Sequence, residues 1–106
     1  MKESPLFVKT YDFSRWLLDH TRSFPKNQRF VMARRIEEAV PDFYDLLLMA
    51  VIVERARENT LQKASLQLEK LKHYLRLSHD MALINLRQYE YSSVAMVEIG
   101  QYILSR

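Results

Sequence analysis

Ser23-Phe24-Pro25-Lys26-Asn27-Gln28-Arg29-Phe30 is the stretch that decides how this chain is built. Pro25 cannot continue a helix that arrives from the N-terminal side, because its nitrogen has no hydrogen to donate and its ring clashes with the preceding turn. It is well placed just before the first turn of a new helix. The segment therefore reads as a tight connection between two antiparallel helices. It is also basic: Arg22, Lys26, Arg29, Arg34 and Arg35 fall in or beside it, and no Asp or Glu occurs from His20 to Ile36.

Upstream, Ser4 and Pro5 supply an N-cap hydroxyl and a proline at the first helical position. Leu6, Phe13, Trp16, Leu17 and His20 then share one helical face as far as Arg22. Downstream, Ala33, Ile36, Val40, Phe43, Leu47, Ala50 and Val51 line a second helix expected over about 26–55. Pro41 interrupts its hydrogen-bond ladder, so a kink is expected there, while the in-phase pattern argues against a break. A third helix is expected from Asn59, with Gln62 completing a capping box, and a stripe of Leu61, Ala64, Leu68, Leu71, Leu75 and Ala82. A fourth begins at Asn85 with Gln88 in the same relation, and its stripe is Leu86, Tyr89, Ser93, Met96, Gly100 and Ile103. Four helices on short loops predict an all-α, antiparallel up-down-up-down four-helix bundle, one domain over residues 1–106.

The bulk numbers agree with that class. One Gly and three Pro in 106 residues are too few for a sheet protein with tight turns. There is no Cys, which removes disulfides and thiolate metal sites and fits a cytoplasmic location. No signal peptide is read at the N-terminus, where Lys2-Glu3-Ser4-Pro5 precedes the apolar residues. The longest apolar run, residues 46–53, is far below the roughly 20 residues of a membrane span, so no membrane partner is expected. The net charge of +3 permits nucleic-acid contact without requiring it.

Each helix carries apolar residues off its main stripe: Phe7, Tyr11 and Leu18 on the first; Val31, Leu46, Met49 and Ile52 on the second; Leu66, Tyr74 and Leu77 on the third; Tyr91, Ala95, Ile99 and Tyr102 on the fourth. A monomeric bundle needs only one stripe per helix. The run 46–53 is apolar all round, which marks Leu46, Met49, Ile52 and Val53 as an expected subunit interface in a homo-oligomer.

No catalytic, cofactor-binding or metal-ligating set is expected. His73 and His79 lie on different faces of one helix, and His20 has no second ligand four residues away. Glu37 and Glu38 are adjacent and point apart, while Asp42 and Asp45 share a face with no histidine or glycine-rich loop near them. The remaining signal is cationic. Arg22, Lys26, Arg34 and Arg35 are the first candidates for phosphate contact, with Lys70, Lys72 and Arg76 second. Arg29 falls on the core face with Ile36, Val40, Phe43 and Leu47, so its expected role is structural, paired with Asp12 or Glu98. Phe24, Pro25 and Phe30 are expected to build the same turn.

Several stretches in order along the chain carry a family resemblance: Tyr11-Asp12-Phe13 with Trp16-Leu17-Leu18; Phe24-Pro25 through Arg29-Phe30; Asp42-Phe43-Tyr44-Asp45-Leu46-Leu47; and Leu75-Arg76-Leu77-Ser78-His79-Asp80 followed by Gln88-Tyr89-Glu90. Together they resemble the small bacterial four-helix-bundle proteins that include those encoded in ribosomal RNA intervening sequences. The closer similarity is to the accessory variability determinant of diversity-generating retroelements. That resemblance implies a non-enzymatic homopentamer that binds a reverse transcriptase and RNA or DNA during mutagenic retrohoming. The alternative it leaves open is a structural oligomer of the intervening-sequence type with no polymerase partner. The chain departs from the family pattern at Pro41 and in its mild charge.

Overall fold

The computed structural model describes residues 4–104, with the side chains of residues 28–30 outside the described set. It is all-helical over those residues. Helix α1 is Pro5–Thr21; a short α2, Lys26–Gln28, leads through a π-helical segment, Arg29–Ala33, into α3, Arg34–Ile52; α4 is Arg57–Asp80 and α5 is Leu86–Leu104. Helix α3 packs on α4, α4 on α5, α5 on α1 and α1 on α3, which closes an up-down-up-down bundle of 42 × 24 × 23 Å.

Ser4 caps α1 through a long bond from the Phe7 N–H to its Oγ (3.5 Å), with Pro5 in the first turn. After Thr21 the chain reverses. The Ser23 N–H donates to the His20 carbonyl (3.0 Å) and the Phe24 N–H to the Thr21 carbonyl (3.1 Å), and Phe24 turns into the core. Thr21 Oγ1 donates to Glu37 Oε2 at 2.8 Å, tying the end of α1 to α3. Helix α3 then runs unbroken through Pro41, whose missing N–H leaves the Glu37 carbonyl without its intrahelical donor.

The third helix begins earlier than its sequence signature suggests. A 3-10 turn, Glu54–Ala56, carries the backbone into α4 at Arg57, so Asn59 is already helical and exposed and cannot cap. The polar group that serves this corner is Arg57, whose Nε donates to the Ala50 carbonyl at 2.9 Å, at the C-terminal turn of α3. At the other end of α4 the Ala82 N–H bonds the His79 carbonyl (2.9 Å) and the Leu83 N–H bonds Ser78 (2.8 Å). This is a Schellman closure, with Ala82 at φ 61° in the position glycine usually holds. It ends the helix at the boundary, so Ala82 lies exposed outside the core stripe. The expected box at Asn85 forms: its Oδ1 accepts from the Gln88 N–H and its own N–H donates to Gln88 Oε1, both at 2.8 Å.

The α3 stripe is buried as expected from Ala33 to Ala50, with Val51 exposed instead. On α5 the stripe is turned by one position. Ser92, Met96, Ile99 and Ile103 are buried, whereas Leu86 is exposed and Ser93 and Gly100 are half-buried. Ile99, expected on the outside, is completely buried. Phe7 and Leu46, also off the main stripes, are half-buried against the core, and Phe7 meets Tyr44 edge-on.

Candidate nucleic-acid interface

The up-down topology brings the end of α1, the start of α2, the end of α4 and the start of α5 to one end of the bundle. Arg22 and Lys26 are exposed at that end, on either side of the turn built by Phe24 and Pro25. The π-helical turn follows, a distortion often found where a helix serves a site. Just beyond it, Arg34 and Arg35 are exposed on the first turn of α3 and line a shallow groove with Val31 and Glu38. Two of these cations carry acids of their own: Arg34 Nε lies 2.8 Å from Glu38 Oε1, and Arg22 reaches Asp19 at 4.0 Å. Both are exposed pairs between near neighbours on one helix, so each contributes little and can exchange for another anion. The expected pairing of Arg29, and the place of Phe30, lie outside the described side chains; of the two acids considered for Arg29, Glu98 is engaged with Lys9.

The second cationic group does not converge. Lys70 and Lys72 are two residues apart on α4 and so point to opposite sides of it. Lys72 is half-buried and pairs with Glu69 at 3.0 Å; Arg76 shares its side, and Lys70 sits on the other with Lys63. Sequence reasoning missed Arg87. It is exposed in the first turn of α5, far from Arg22 in sequence but at the same end of the bundle. One turn above it, Tyr91 lies on Trp16 (4.8 Å between ring centres), and Trp16 stacks on His20 at 4.0 Å. His20 Nδ1 also meets the Trp16 carbonyl at 2.7 Å. Cations beside a partly exposed aromatic seam can hold phosphates and stack on a base.

Two grooves lie away from this cationic end. An open groove of about 570 Å³ lies at the opposite end, lined by Glu54, Arg57, Leu61 and Ile103 among others; the groove between α1 and α5, about 230 Å³, is below the usual size of a ligand pocket. Its charged pair is mutually satisfied: the Glu98 carboxylate accepts from the Lys9 ammonium and holds it above its ordinary value of 10.5. Among the described residues no three His, Cys, Asp or Glu side chains are placed to hold a metal, and no helix is long and apolar enough to cross a membrane.

The class so defined is a small helical bundle whose candidate site is a cationic surface at one end rather than a pocket. A family model described as bAvd-like matches residues 6–105, and the chain belongs to that family. No curated protein and no solved structure matches it.

Proposed function

We propose that the protein is a non-enzymatic accessory component of a diversity-generating retroelement. It acts in the cytoplasm as a homo-oligomer, a pentamer by family resemblance, and binds the element's reverse transcriptase together with template RNA or cDNA. The observation that carries this reading is the bAvd-like match over residues 6–105. The exposed cations Arg22, Lys26, Arg34 and Arg35 support it as the phosphate-facing set. Exposed apolar residues at Met49 and Ile52, beside the half-buried Leu46 and Val53, support the subunit contact.

The direct test is co-purification with the cognate reverse transcriptase. Retention at low salt is expected, and no association would sink the reading. An oligomer that never retains the polymerase would instead be structural, of the intervening-sequence type, a reading that the mild +3 charge favours. Replacing Arg22, Lys26, Arg34 and Arg35 by Gln should weaken RNA binding and flatten its salt dependence, by about 0.7 in log–log slope per lost phosphate contact on a single strand. Unchanged affinity would move the contact surface elsewhere.

A further inference from the structure

We propose that the outer faces of α3 and α4 are two halves of one contact, with α3 of one copy lying antiparallel against α4 of the next. This rests on the oligomer proposed above and names its surface.

The outward face of α3 and of the π-helical segment before it carries Val31, Arg34, Glu38, Asp42, Asp45, Met49 and Ile52; that of α4 carries Lys63, Leu66, Lys70, His73 and Leu77. Within each, positions recur at steps of three, four or seven, which keeps them on one helical face. All are exposed. The apolar members are strongly so, at 59% for Val31, 50% for Met49, 75% for Ile52, 59% for Leu66 and 47% for Leu77. Arg34 is paired with Glu38 at 2.8 Å, and the remaining charges of the two ridges are opposite in sign. From Ile36 to Ile52, α3 holds Glu37, Glu38, Asp42 and Asp45 and no Lys or Arg. The α4 ridge holds Lys63 and Lys70 and no acid, while Lys72, Arg76 and Glu69 lie off it. Among the described residues, Asp42, Asp45, Lys63 and Lys70 form no ion pair.

The heights along the bundle agree as well. Gln67 Nε2 reaches the Ala39 carbonyl at 3.5 Å, which fixes the antiparallel level of α3 against α4. Counting outward from that point, Asp45 is level with Lys63, Glu38 with Lys70 and Val31 with Leu77 to within a turn. A rotation about any axis parallel to the helices leaves height unchanged. Copies related by such an axis, whatever its order, therefore bring acid to base and apolar to apolar when α3 faces α4. An RNA strand does not suit the α3 ridge beyond Glu38, where Asp42 and Asp45 repel phosphate. In this arrangement Lys70 belongs to the subunit contact and leaves the phosphate-facing set.

The test is a charge exchange followed by sedimentation at micromolar concentration, with circular dichroism to show that each variant stays helical. Asp45→Lys alone and Lys63→Glu alone should each weaken assembly at least tenfold. The double variant, which restores opposite charges at every contact, should recover it. Wild-type assembly by both single variants, or a double variant as dissociated as the singles, overturns the proposed surface while leaving the oligomer standing. Single variants that assemble normally but lose the polymerase would assign the face to that partner and also overturn it. A monomeric wild type would overturn the oligomer itself.

Discussion

Replacing Gly100 by Ala should stabilise the protein. Gly100 lies inside α5 with no positive φ, so its backbone makes no use of glycine's freedom. A Cβ added there would meet Leu68 Cδ2 at 3.6 Å, an ordinary van der Waals contact, and nothing else within 4 Å. The removed flexibility of the unfolded chain is worth about 0.5–1 kcal/mol. A methyl group half-buried against Leu68 adds about 0.4 kcal/mol, half the value of a fully buried methylene. The sum, near 1 kcal/mol, corresponds to a rise in Tm of roughly 4 °C or more for a domain of this size. Urea and thermal unfolding, compared with wild type at one fixed protein concentration, would show the midpoint move with an unchanged m-value. A lower midpoint would refute the reasoning, because it would require α5 to be approached at Gly100 more closely than the α4–α5 packing allows.

The αL residue of the α4–α5 turn offers the opposite exchange: Ala82→Gly relieves a left-handed conformation that costs a non-glycine residue about 1–2 kcal/mol, less the ~0.5–1 kcal/mol that glycine loses on folding. A net gain of about 0.5–1 kcal/mol is expected in urea unfolding, and a loss would show that the turn does not need glycine's geometry. On the proposed assembly, Asp45→Lys should also bind a single-stranded RNA oligonucleotide more weakly than wild type, although it raises the formal charge of +3 by two. Tighter binding by that variant in a filter or polarisation assay would show that charge per chain, not assembly, sets affinity.

The fold was legible where one pattern had one solution. The apolar spacing from Ala33 to Ala50 admits a single face, and that face is buried. On α5 the apolar residues encircle the helix, so two neighbouring phases satisfy the periodicity. The structure chooses the one that buries Ser92, whose hydroxyl is satisfied locally by the Tyr89 carbonyl at 2.8 Å. A polar residue that bonds its own helix turn gives no sequence signal that it belongs inside. Asn59 and Asn85 carry the same spacing to a glutamine, yet only Asn85 caps. The difference lies upstream: Schellman closure ends α4 before Asn85, whereas a 3-10 turn feeds straight into α4 before Asn59. The candidate site was half legible for a similar reason. Cations adjacent in sequence were found, but Arg87 joins them only through the topology.

The charge distribution makes more sense for an assembly than for one chain. A net +3 is small for the RNA binding proposed above, and part of the cationic surface is tied to neighbouring acids at Glu38 and Glu69. Yet the acids of α3 lie between Glu37 and Asp45, while Arg22, Lys26, Arg34, Arg35 and Arg87 gather toward one end of the bundle. If copies are related by an axis parallel to the helices, as the α3–α4 complementarity requires, every basic end lies on the same face of the ring. One RNA strand then meets several weak clusters at once, and their effective concentrations multiply without any new contact. The acids serve this arrangement in two ways: they join the copies laterally, and they repel phosphate from the flanks so that it meets the end. Affinity for RNA should therefore depend on protein concentration through assembly, more steeply than a one-to-one complex allows.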